Sequence, residues 1–325
     1  MRPILFAPMF LAAVLIVHLS GCASPEEILY RMTNHDTLTP EAVAKFNEAK
    51  AKAASGNPED QLVLGLHYHE GYGVEQDDVQ TAIWYRKAAD QGSARGQCLV
   101  GWCYLFGRGV SKDRAESLAW YRKAAAQGDP NGMIMVARAY RCGDGVGKDP
   151  VQSIAWLRKA AEAGDANAQA SLARCYLTGD TVAEDRTEGV RWLRKASDAG
   201  HADAMYILGC CLRDGCGTAQ DTTAAAASWR RAADLGHGRA IYSLSVCHEK
   251  GAFVPGDLVE AYALMTLVAR QSAPGNYRDD LSRLADQLKP EEVARGVKRA
   301  DELQKLWKNG RPWADDRADF YFLSL

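Results

Sequence analysis

Apolar residues from Pro40 onward recur at helical intervals, and glycine cuts them at a fixed period. The stretch from Asp165 to Gly200 shows the unit. Ala168, Leu172, Ala173 and Tyr176 fall on one helical face, and Gly179 stops the run, since glycine reaches the left-handed conformation that closes helices. Asp185 then stands where a side-chain acceptor caps a second helix. That helix carries Val190, Trp192, Leu193 and Ala196 and ends near Gly200. The two predicted helices, A and B, are about 13 residues or ~20 Å long. Neither buries its apolar stripe alone, so the pattern demands stacked neighbours.

The unit returns in strict register. Gly56, Gly92, Gly128, Gly164, Gly200 and Gly236 are 36 residues apart, as are Asp77, Asp113, Asp149, Asp185, Asp221 and Asp257. The expected fold is all-α: a right-handed α/α superhelical solenoid of about six 36-residue repeats with helical caps. One column of paired positions runs Leu64-Gly65, Val100-Gly101, Val136-Ala137, Leu172-Ala173, Leu208-Gly209 and Leu244-Ser245. Its small member lets helices A and B approach closely. Trp84, Trp120, Trp156 and Trp192 form a helix B column, and the next tryptophan, Trp229, slips by one place. Pro40 to Ser55 reads as a lone helix B that caps the start. The glycine expected at 272 is Ser272, after which Tyr277–Leu288 and Pro290–Trp307 read as two closing amphipathic helices.

Two motifs recur in register, Val100-Gly101-Trp102-Cys103-Tyr104-Leu105-Phe106-Gly107-Arg108-Gly109-Val110 and Ala119-Trp120-Tyr121-Arg122-Lys123-Ala124-Ala125. Both resemble the Sel1-like repeat, and the resemblance covers residues 40–272. It implies an α/α solenoid related to tetratricopeptide repeats and used as a scaffold for protein–protein contact, without catalysis.

The N-terminus has the makings of a targeting segment. Arg2 precedes a largely apolar run from Ile4 to Leu19, too short for a membrane span of about 20 residues. Leu19-Ser20-Gly21-Cys22 resembles the lipobox of bacterial lipoproteins. By that resemblance 1–21 is a signal peptide, Cys22 becomes a lipidated N-terminus, and the chain is an envelope lipoprotein. Ala23 and Ser24, with no aspartate, resemble the outer-membrane sorting pattern, facing the periplasm. The expected organisation is signal peptide 1–21, lipidated tether 22–39, repeats 40–272, capping helices 273–308 and a tail 309–325 with Phe320-Tyr321-Phe322.

Composition changes this picture little. Charged residues make up 25% and the net charge is −2, which gives no overall attraction to nucleic acid. The cysteines number nine. Cys103, Cys175, Cys211 and Cys247 share one repeat column, and equivalent sites in stacked helices lie ~9 Å or more apart, beyond the ~7 Å that a disulfide spans. They read as small buried apolar residues. Cys98, Cys142, Cys210 and Cys216 fall in other columns, where one local bridge stays open.

No nucleophile, zinc-protease or phosphate-loop motif is present. His67 and His69 are two apart on a helix and diverge, so no metal site is expected there, nor a cofactor. Some cysteine-rich Sel1 relatives are linked to β-lactam chemistry, but this chain fills their cysteine positions with residues such as Ala89 and Gln97. A hydrolase of that kind, or one acting on cell wall, and a peptidoglycan- or glycan-binding module stand as alternatives.

The favoured site is the concave face lined by helix A. Its columns bring Arg138, Arg141, Arg174 and Arg213 mid-groove, with Trp102 and Phe106 on one side and Tyr206 and Tyr242 on the other. Arginine holds carboxylates bidentately and aromatics give anchoring area, which fits an acidic or C-terminal segment of a protein partner. The competing expectation is that these arginines are solvated or paired with Asp203, Asp214 or Glu249.

Overall fold

The structure, a computed structural model, describes residues 38–271 and 277–307. The expected signal peptide, Cys22, Ser272 and the tail with Phe320 to Phe322 lie outside the described residues. Among the described residues there are 15 helices and no strand. None of these helices is long and apolar enough to cross a membrane.

The chain divides into two compact units between Ala163 and Gly164. Unit 1 holds α1 (Pro40–Ala53), α2 (Pro58–Glu70), α3 (Asp78–Asp90), α4 (Ala94–Phe106), α5 (Arg114–Ala126), α6 (Pro130–Cys142) and α7 (Pro150–Glu162). Unit 2 holds α8 (Ala166–Thr178), α9 (Arg186–Asp198), α10 (Ala202–Asp214), α11 (Thr222–Asp234), α12 (Gly238–Lys250), α13 (Leu258–Gln271), α14 (Tyr277–Ala285) and α15 (Pro290–Trp307). After the lone α1, helices A and B alternate as expected. The first closing helix stops at Ala285, short of Leu288.

The aspartate column explains its own regularity. Asp77, Asp113 and Asp149 cap α3, α5 and α7 through their side chains. Their backbone N–H groups meanwhile donate to the carbonyls of Tyr68, Tyr104 and Tyr140 at 2.9, 2.9 and 2.8 Å. Each aspartate therefore opens one helix and ties it to the end of the one before. Asp185 and Asp221 do the same in unit 2, bonding to Tyr176 and Leu212.

Close A–B packing depends on the small column. A Cβ on Gly65 would lie 2.6 Å from the Tyr85 ring, and one on Gly101 would lie 2.8 Å from Tyr121. In unit 2 one on Gly209 would lie 2.4 Å from Trp229 Nε1. This accounts for the shifted tryptophan. Trp229 occupies the column of Tyr85 and Tyr121, sealed against the facing glycine, whereas Ser228 holds the place of Trp192. The other four tryptophans of the helix B column lie under lysines one turn on: Lys87 over Trp84, Lys123 over Trp120 and Lys159 over Trp156 in unit 1, and Lys195 over Trp192 in unit 2, at 3.5 to 4.1 Å.

The turn after helix A interlocks with the helix B before it. A Cβ on Gly109 would stand 1.9 Å from the Asp78 carbonyl oxygen, and one on Gly145 would stand 2.2 Å from that of Arg114. Backbone thus lies directly on backbone, which only glycine permits. In unit 2 Gly217 repeats the contact against Arg186.

Unit 2 closes with α13, which packs on both α14 and α15. Leu264, Leu267, Leu284, Ala300 and Leu303 are buried there. Arg299 bonds Glu260 and Arg270 bonds Asp301, at 2.9 and 2.7 Å.

Candidate functional site

In unit 1, α4 splits the two expected aromatics. Trp102 lies mid-helix on the face turned to α2 and is only 4% exposed. Its ring stands edge-on to His69 at 5.1 Å. Trp102 is therefore a core residue and presents no area to a partner, which corrects the sequence expectation. Phe106 is the last residue of α4, one turn further on, and is 39% exposed. It leans on Trp102 with ring centroids 5.7 Å apart, so an exposed aromatic rests on a fixed support.

The charges around this aromatic pair are partly balanced. Arg108 bonds Asp78 at 3.2 Å, and His69 Nδ1 lies 3.8 Å from the same carboxylate. Burial pushes the His69 pKa down, against the pull of Asp78. Arg138 is half-buried. It lines a cavity of about 10 Å³ with Leu105, Tyr121 and Met135. Arg141, one turn later, is exposed.

In unit 2 the expected groups are largely engaged within the chain. Arg213 donates twice to Asp214, both bonds 2.7 Å, which raises the guanidinium pKa and lowers that of the carboxyl. This bears out the pairing reading for Arg213. Tyr206 stacks on His237 at 4.8 Å. Tyr242 packs on Tyr277 of α14 at 5.4 Å, and its hydroxyl donates to Asp280 at 3.4 Å. Arg174 is half-buried. Glu249 is bonded by Arg283, which holds its carboxyl below the usual range despite some burial. Asp280 and Arg283 lie in the closing helix, and sequence columns gave no signal of them.

The shared cysteine column is inward as expected for Cys103, Cys211 and Cys247, while Cys175 is half-buried. Burial raises the Cys103 thiol to about 12. Cys98, from another column, donates its S–H to Asp129 at 3.3 Å. Among the described residues no group of three or more His, Cys, Asp or Glu could hold a metal ion.

Paired helices of fixed length, repeated with capped turns and interlocking backbone, define a helical-repeat protein. The Sel1 repeat profile matches residues 58–93, 94–129, 130–165, 166–201, 202–237 and 238–272, and the chain belongs to the Sel1 repeat family. Proteins of this family generally mediate protein–protein interaction and are typically non-catalytic scaffolds.

Two solved structures are similar over most of the chain. One is a protective antigen of uropathogenic Escherichia coli with an SLR fold, 28% identical, TM-score 0.66, matched over 82% of this chain. The chain spans 58% of the length of that protein. The other is a Sel1 repeat protein of Oxalobacter formigenes, 31% identical, TM-score 0.61, matched over 71% of this chain and all 100% of its own. No curated protein matches the chain.

Proposed function

We propose that this protein is a non-catalytic adaptor, anchored in a bacterial envelope through Cys22, that holds an acidic segment of a protein partner. The observation that carries the docking site is Phe106, an exposed aromatic braced by buried Trp102. Anchors in protein interfaces combine such rigid aromatic area with nearby arginine. Arg141 is exposed in the following helix A, and Arg138 brings a second positive charge to that helix. Unit 2 offers Arg174, Arg213, Tyr206 and Tyr242 as a further face. There Arg213 must exchange Asp214 for the partner's carboxylate, so its contribution is discounted.

Site-specific crosslinking from position 106 in intact cells tests the docking face. A partner captured by the wild-type chain should be lost from Arg138→Glu/Arg141→Glu with the helical signal unchanged. Capture that is equal in both would remove the arginine face from the proposal. The anchor rests on Leu19-Ser20-Gly21-Cys22. Labelling with a fatty-acid analogue should mark the wild-type chain and miss Cys22→Ala.

A further inference from the structure

The turn after helix A returns to the start of the preceding helix B, and in unit 1 it twice delivers a charge of opposite sign. Arg108 meets Asp78 at 3.2 Å, and Asp144 meets Arg114 at 3.1 Å. The same two repeat positions in unit 2 hold Arg186 and Cys216. The backbone approach is alike, since a Cβ on Gly217 would meet the Arg186 carbonyl oxygen at 2.2 Å. The Arg186 guanidinium bonds Glu184, and Cys216 lies close enough to add to the upward pull on the guanidinium pKa. A sulfur therefore stands where Arg114 finds a carboxylate.

A second sulfur lies beside it. Gly215 closes α10 in the left-handed conformation, and the Cys216 N–H donates to the Cys211 carbonyl at 2.9 Å. This is the helix-ending bond of a Schellman cap, in which the side chains at these two positions meet. The bond keeps the two Cα atoms within about 7 Å, inside the range of a disulfide. The two sulfurs lie near enough to act on one another electrostatically. Cys211 is buried and Cys216 half-buried. The neighbouring Cys210 takes no part in this cap bond.

We propose that Cys211 and Cys216 form a redox-active dithiol at the end of α10, with Cys216 the attacking sulfur, Cys211 the resolving sulfur and an external disulfide the oxidant. The Cys216 thiolate attacks one sulfur of the external disulfide. A mixed disulfide forms, and the displaced thiolate takes up a proton equivalent to the one Cys216 lost. Cys211 then loses its proton and attacks Cys216 Sγ, which closes the internal bond and expels the second thiol. The protein dithiol gives up two electrons and two protons, and the external disulfide gains both. The order follows from exposure, since Cys216 is half-buried and Cys211 buried. Burial, helped by the adjoining Cys216 sulfur, lifts the Cys211 thiol to about 12, so Cys211 stays silent until Cys216 has reacted.

Trypsin reads this directly, because Arg213 separates the two cysteines. The reduced full-length chain is treated with glutathione disulfide, alkylated, unfolded and digested. The expected product is peptide 196–213 joined to peptide 214–230. The link should persist in Cys210→Ser and vanish in Cys211→Ser, which instead should retain glutathione on Cys216. Absence of the linked peptides from the wild-type chain overturns the proposal without recourse to any variant. A link that survives in Cys211→Ser or is lost in Cys210→Ser overturns the pairing.

Discussion

His237 donates from Nε2 to Asp203 at 2.8 Å while its Nδ1 accepts the Ala240 N–H at 3.1 Å. The ring thus caps α12 and bridges to α10 with one tautomer. His201 holds the equivalent place on α10 and accepts the Ala204 N–H at 3.2 Å. The corresponding caps of α2, α4, α6 and α8 are Asn57, Ser93, Asp129 and Asp165, which accept through oxygen.

Unit 2 is expected to weaken in mild acid through His201. Burial lowers its pKa, opposed by Asp203 and Asp165 and assisted by His237. The folded state thus prefers the neutral ring. Its contribution is complete above the ordinary histidine value of about 6.5 and is lost as pH falls from there through the depressed folded value. His201→Asp should flatten the fall in melting temperature between about pH 7 and 5. An equal fall in both proteins would show that the acid sensitivity lies elsewhere.

Gly109→Ala and Gly92→Ala should separate strain from collision. Both glycines have positive φ, but a Cβ on Gly92 meets nothing within 4 Å, whereas one on Gly109 strikes the Asp78 carbonyl. Gly92→Ala should cost about 1 kcal/mol from backbone conformation alone. Gly109→Ala should cost at least about 2 kcal/mol more, through displaced backbone. Urea denaturation of the two variants gives the comparison.

Phe106→Ala should leave the melting temperature near that of the wild type. Trp102→Ala should lower stability by about 3–5 kcal/mol, the usual loss for a large core aromatic. Should both variants melt alike, the division of α4 into an outward anchor and its inward support would not hold.

Asp214→Asn should free Arg213, whose two short bonds to that carboxylate occupy its fork. The pair is partly exposed, so the stability change should stay below about 1 kcal/mol. If unit 2 also takes an acidic segment, titration with a crosslink-identified partner peptide should give tighter binding to this variant. Unchanged affinity would confine docking to unit 1.

The fold was legible because its signals are local and repeated. Period, aspartate caps and the glycines after helix A each fix a short stretch, and register multiplies them. The site was less legible because exposure depends on what the rest of the chain covers. Trp102 and Phe106 differ by one helical turn, yet α2 covers the first and leaves the second open. Tyr242 is covered by Tyr277, a residue of a helix outside the repeats. Arg213 and Asp214 are sequence neighbours, which ordinarily diverge on a helix. They meet because Asp214 is the last residue of α10, beside the left-handed Gly215.

The seating of Gly109 on Asp78 and of Gly145 on Arg114 makes the repeat length a mechanical pitch. Adding one residue between these positions would lift the turn off its seat and carry the next aspartate cap out of reach of its carbonyl. A lineage of such chains can therefore lengthen or shorten its array by whole copies of the unit, through duplication or loss, far more readily than by single residues. Partner surfaces then change by exchange of side chains on a constant frame.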